Sequence, residues 1–182
     1  NGANSSLVYS NINCTNLKIV DCELKYSGNY GINSTPAGLV VDGCSISEVT
    51  NFGIYSYSAN ALIKNNIIQN IGIWEGMGQY LGYMGLAANG ENSITEFNQI
   101  RNVGYNGIIL RGNNSIVRYN YIDTFCSLLD DGGGIYTSNN TYTGRIIDHN
   151  ICINGIGNFE GATNYSNTLP STTLYAHGIY LD

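Results

Sequence analysis

The sequence predicts an all-β chain wound as a right-handed parallel β-helix, a solenoid of about 22 residues per coil. Three observations predict it. First, two fixed points recur from Leu17 to the end. One is a small polar residue, generally two before an Ile or Leu, at Cys22, Cys44, Asn66, Asn98, Asn120 and Asn150. The other is a Gly followed by Ile or Leu, at Gly31, Gly53, Gly85, Gly107, Gly134 and Gly178. Second, the spacing is lopsided. From each Gly to the next polar point the gap is 13, 13, 13, 13 and 16, whereas from each polar point to its own Gly it is 9, 9, 19, 9, 14 and 28. One arc of every coil is nearly constant, and the other takes nearly all the insertions. Third, the position two before the polar point reads Val20, Asp42, Lys64, Glu96, Arg118, Asp148. Stacked on parallel strands about 4.8 Å apart, these charges alternate in sign from Asp42 onward, which favours this register over its neighbours. A leucine-rich repeat of similar period would need a Leu-x-x-Leu-x-Leu run, which is absent.

The coils follow in order. Residues 1–16 form a partial first coil or an end cap, and residues 1–182 read as a single domain. Leu17–Gly38 and Leu39–Asn60 are minimal coils. Ala61–Asn92 carries ten extra residues, with Trp74, Tyr80 and Tyr83 among glycines. These rings either face solvent, as a stacking surface for sugars, or fold back onto the solenoid. Ser93–Asn114 is minimal, Ser115–Gly144 has five extra residues before its Gly, and the last coil, from Arg145, has 19. Because all three insertions leave the same arc, they are expected to stand side by side as walls of one groove, where function commonly sits. The four asparagines Asn66, Asn98, Asn120 and Asn150 are expected to form an inward amide ladder. Cys22 and Cys44 sit at the same position one coil apart and read as stacked thiols rather than a disulfide. With no initiator Met and a strand, His177–Asp182, that stops in mid-repeat, the chain reads as a piece of something longer.

Composition limits the partners. A net charge of −6 with only 7 Lys plus Arg excludes a basic nucleic-acid-binding face. No apolar run approaches the roughly 18 residues of a membrane span. Open solenoid ends leave end-to-end self-association as an expectation.

Carboxylates are scarce, so their placement matters. Asp130 and Asp131 precede Gly134 by four and three residues, and Asp182 follows Gly178 by four. On the outgoing flank Arg111, Ser138 and Asp182 share one column, and His177 stacks above Gly133. Two carboxyl groups across a glycosidic bond suffice for hydrolysis, one protonating the leaving oxygen and the other attacking or activating water. The reading is Asp131 and Asp182 as the catalytic pair, with Asp130 as alternate. His177, Arg111, Trp74, Tyr136 and Tyr180 are the candidate substrate-binding residues. Asp-Asp-Gly-Gly also fits a self-capped turn, or a calcium site at Asp130/Asp131; otherwise no metal or cofactor is expected.

Asp131-Gly132-Gly133-Gly134-Ile135-Tyr136, followed one coil later by Gly178-Ile179-Tyr180-Leu181-Asp182, resembles secreted bacterial β-helix proteins of the pectin-lyase-like superfamily. Within it the similarity is to β-helical glycoside hydrolases that include α-L-fucosidases and xylanases. The resemblance implies a secreted, extracellular or periplasmic protein acting on a polysaccharide, with acid/base or nucleophile roles for Asp130 or Asp131 and for Asp182. Asp130-Asp131 with His177-Gly178 is also similar to polygalacturonases, but the Arg-Ile-Lys motif expected there is missing. A polysaccharide lyase, with Arg111 as base, and a non-catalytic module for glycan binding or fibre assembly are the alternatives.

Overall fold

The structure, a computed structural model, describes residues 2–79, 81–138, 141–158 and 174–182. Each full coil gives one strand to each of three parallel sheets. The glycine sheet stacks Ser6–Ser10, Tyr30–Ser34, Phe52–Ser56, Met84–Ala88, Ile108–Leu110, Gly132–Thr137 and Ala176–Leu181. The charge sheet stacks Lys18–Val20, Val40–Asp42, Leu62–Lys64, Ile94–Glu96, Ile116–Arg118 and Ile146–Asp148. The third stacks Glu23–Ser27, Ser45–Val49, Ile67–Ile71, Gln99–Val103, Tyr121–Phe125 and Ile151–Gly155. Ser6–Ser10 pairs with Tyr30–Ser34, so the first residues supply the glycine-sheet arm of a partial coil. No helix among the described residues is long and apolar enough to cross a membrane.

The turn between charge sheet and third sheet is a single residue in the left-handed region: Asp21, Gly43, Asn65, Phe97, Tyr119 and His149, with φ between 48° and 66°. That bend turns the following residue inward, which is why the polar fixed point lies inside. Phe97, Tyr119 and His149 are bulky for this conformation. Their rings stack on one another at 5.1 and 5.0 Å between centroids, a contact available only because the turns superpose.

Inside, the amide ladder forms. Asn66 Nδ2 donates to Asn98 Oδ1 at 2.9 Å, Asn98 Nδ2 to Asn120 Oδ1 at 3.0 Å, and Asn120 Nδ2 to Asn150 Oδ1 at 3.0 Å. Each backbone N–H of Asn66, Asn98 and Asn120 also donates to the amide oxygen of the coil above. Each Nδ2 reaches a second acceptor, a backbone carbonyl of the coil below, from Val41, Ile63 and Thr95. Amide groups that would be costly inside an apolar core are thereby put to use. Beside the ladder run the apolar columns Ile46, Ile68, Ile100, Ile122 and Ile32, Ile54, Leu86, Ile108, Ile135, all fully buried. Cys22 and Cys44 are free thiols, as are the other three cysteines.

The charge column falls in register: Asp42 beside Lys64, Lys64 beside Glu96, Glu96 beside Arg118, Arg118 beside Asp148. Lys64 Nζ lies 3.4 Å from Asp42 and Arg118 Nε 2.8 Å from Glu96. Reversing the sign at Glu96 sets three cations in a row. Glu96→Lys is therefore expected to lower the melting temperature by a few degrees in low salt, with the loss shrinking in about 1 M NaCl (a salt-insensitive loss would point to packing instead).

The glycine column has a steric cause. A Cβ on Gly107 would sit 2.5 Å from the Gly134 carbonyl oxygen and 2.5 Å from Ile122 Cγ2. Gly53 and Gly85 meet the same pair of obstacles in their own coils. The glycine sheet thus presses against the third sheet with no room for a side chain between them.

Candidate functional site

Two positions after each column glycine the side chain points away from the core. Register aligns Tyr55, Ala87, Ile109, Tyr136 and Tyr180 in one outward column. One position before the glycine, Tyr30, Phe52 and Met84 form a neighbouring column, continued by Asn106, Gly133 and His177. Phe52, Met84, Ala87 and Ile109 make a second apolar cluster on the outside of the sheet, with Tyr30, Tyr55, Tyr105 and Tyr136 packed against it. These four residues are buried although they lie outside the solenoid core, beneath the tyrosines packed against them.

The coil insertions raise walls beside it. The excursion after Ile71 is pinned by Asn51, whose Oδ1 accepts from the N–H groups of Gln79 and Tyr83. Tyr83 folds inward, its hydroxyl accepting from Gly78 N–H at 3.0 Å, while Tyr80 lies outside the described residues. Of the three excursions expected to stand together, the first two do: Gln79 and Leu81 from one and Leu129 and Asp130 from the other line a common hollow. Most of the third, 159–173, lies outside the described residues.

Over the outer face of the sheet lies a groove of about 330 Å³, walled in part by Gln79 and Leu81 of the first excursion. Its floor is Ala87 and Ile109, its ends are Tyr55 and Tyr136, and its flanks carry Gln79, Leu81, Tyr105 and Asn106 on one side and Asn89 and Arg111 on the other. Asn106 Oδ1 accepts from Gly133 N–H at 2.7 Å, but its Nδ2 has no partner among the described residues; neither has Asn89 Oδ1. Buried polar atoms are nearly always paired, so an unused amide donor and an unused amide acceptor stand out among the residues that line this groove. The tyrosine hydroxyls stay protonated. Burial, then the bond to Tyr57, raises Tyr55; burial, then the charge of Asp131, raises Tyr105. Burial, then the bond to Asp182, pushes Tyr136 up to about 12.

Because the Tyr136 value in the folded chain exceeds the unfolded one of about 10, its contribution is complete below about pH 10 and is lost as pH rises toward about 12. Melting temperature is expected to fall across that window, and Tyr136→Phe to fall less. An identical decline in both proteins would assign the loss to other groups.

The sequence-predicted residues fall in several places. Arg111 is in the groove and Tyr136 closes it. Asp182 accepts from Tyr136 Oη at 2.6 Å. Tyr180 packs edge-on against Tyr136 at 5.3 Å, and burial, then the charge of Asp131, raises its hydroxyl pKa. His177 lies over Gly133, with its ring 4.6 Å from that of Tyr180. Asp131 is exposed with φ 60°, and its carbonyl accepts from Tyr105 Oη at 2.8 Å. Asp130 turns inward, and its Oδ1 accepts from Tyr175 N–H at 2.8 Å. The two adjacent carboxylates thus part, and no group of three metal-ligating side chains forms among the described residues.

Asp131 and Asp182 lie at opposite ends of paired strands, before Gly132 and after Leu181. Tyr136 and Tyr180 bridge the space between them. Trp74 is 43% exposed but lines a different hollow, of about 740 Å³, with Tyr26, Met77, Glu48 and Glu75. The groove residues that had not been singled out, Tyr55, Ala87 and Ile109, carried a signal: each stands two after a column glycine, the position of Tyr136 and Tyr180.

Three parallel sheets around a stacked core define a parallel β-helix, with an aromatic-lined groove outside one of the sheets. The chain belongs to the right-handed beta helix family, whose model matches residues 7–171. No curated protein and no solved structure matches it.

Proposed function

We propose that this protein binds a polysaccharide in the groove of the glycine sheet. The observation that carries the reading is the pairing of an apolar aromatic floor with unpaired amide atoms on Asn89 and Asn106. Flat rings at Tyr55 and Tyr136 offer stacking surface to sugar faces, the amides complement hydroxyls, and Arg111 holds a hydroxyl or carboxylate. Isothermal titration with neutral and acidic oligosaccharide series tests it. Tyr55→Ala and Arg111→Ala are each expected to weaken binding about tenfold, ~1.4 kcal/mol, while Lys18→Ala on the charge sheet changes nothing. Equal affinity in all four proteins would refute the groove.

The second reading is a glycoside hydrolase. Its support is the exposed Asp131 carboxylate, which acts on Tyr180, whose ring packs against that of His177. Loss of hydrolysis in Asp131→Asn is the expected result; full activity in that variant would overturn this reading, and equal loss in Asp182→Asn would make the two carboxylates a pair.

A further inference from the structure

The groove has a side chamber. A second hollow of about 330 Å³ shares Gln79, Leu81 and Tyr105 with the groove and extends behind them to Tyr83, Leu129 and Asp130. Its walls come from two different excursions, so the chamber is built by the insertions and not by the repeat. Asp130 stands in its wall, only 5% exposed. Oδ1 is occupied by Tyr175 N–H, whereas Oδ2 has no hydrogen-bond partner among the described residues. A buried carboxylate oxygen without a donor is costly, so a bound group that brings donors is favoured there.

Resting on the glycan reading of the groove, the geometry points to a side chamber that receives a single neutral sugar branching from the main chain. A linear glycan lying over Ala87 and Ile109 has no group to send past Tyr105. A one-sugar branch does: its apolar faces meet Leu81, Leu129 and the tyrosine rings, and its hydroxyls supply donors to Asp130. An acetyl or methyl substituent brings no donor, and an acidic sugar meets a carboxylate of like charge.

Titration calorimetry with matched pairs tests this, using linear xylo-, gluco-, manno- and galacto-oligosaccharides and the same backbones carrying one single-sugar branch. For the backbone that binds, the branched form is expected to bind at least about tenfold tighter. Leu129→Trp, which fills the chamber without touching the groove, abolishes that advantage and leaves linear affinity within about twofold; Leu129→Phe serves if Trp prevents folding. Asp130→Asn is expected to reduce the advantage as well. Linear and branched forms binding alike to the unaltered protein, or a Leu129 variant that loses both alike, would overturn the chamber and leave the groove standing. If no oligosaccharide of any series binds, groove and chamber fall together.

Discussion

Asn98→Leu is expected to remove about 4 kcal/mol of folding stability, a large part of the roughly 5–15 kcal/mol typical of a domain. Leu nearly matches Asn in shape, so the loss is chemical. Asn98 is 1% exposed. Its amide accepts from the Asn66 N–H and Asn66 Nδ2 and donates to the Ile63 carbonyl and Asn120 Oδ1. Leucine leaves the Asn66 N–H buried with no partner, at about 1–3 kcal/mol, and deletes three further amide hydrogen bonds, to Asn66 Nδ2, the Ile63 carbonyl and Asn120 Oδ1, at about 1 kcal/mol each. The ladder also predicts a gain. Cys44 occupies the rung below Asn66 and donates its N–H to Asn66 Oδ1, but its thiol offers the coil below no amide oxygen. Cys44→Asn extends the ladder by one rung and is expected to stabilise by about 1 kcal/mol. Urea unfolding of the parent and the two variants measures both; an Asn98→Leu variant as stable as the parent would show that the amides are incidental.

Gly107→Ala is expected to cost about 3 kcal/mol, the upper range for overpacking. The new methyl group meets a carbonyl oxygen of the next coil and a buried isoleucine, both at 2.5 Å, and neither is the loose end of a flexible side chain. Relief requires the strands to part where Gly107 donates its N–H to the Gly133 carbonyl. The same substitution at Gly178 is the internal comparison, because a Cβ there meets only Cys152 Cβ at 3.7 Å. Near-neutral Gly178→Ala beside a damaged Gly107→Ala would locate the cause in space between sheets, not in glycine's backbone freedom. Equal effects at both sites would refute that cause.

The periodic half of the molecule was legible because a solenoid repeats its physics. The charge column, amide ladder and glycine column each follow from one residue type returning at fixed spacing. The candidate site was less legible. Counted from their column glycines, Asp131 stands three before and Asp182 four after, seven positions apart along the strand. Adjacency of coils therefore does not make these side chains adjacent. Trp74 stood out by its rarity, yet the direction its loop faces depends on how Asn51 anchors Gln79 and Tyr83, which no spacing encodes. Tyr105 had no motif; it matters because an excursion one coil away leans on it. Ala87 and Ile109 read as ordinary strand residues until the register set them between two tyrosines.

Backbone amide chemical shifts followed during titration with oligosaccharides test the central claim most directly, since they report every face of the solenoid at once. The account predicts that shifts concentrate at Tyr55, Ala87, Asn89, Asn106, Ile109, Arg111 and Tyr136, with the charge sheet from Lys18 to Asp148 unmoved. Shifts concentrated on the charge sheet or around Trp74 and Tyr26, with the glycine sheet silent, would contradict it.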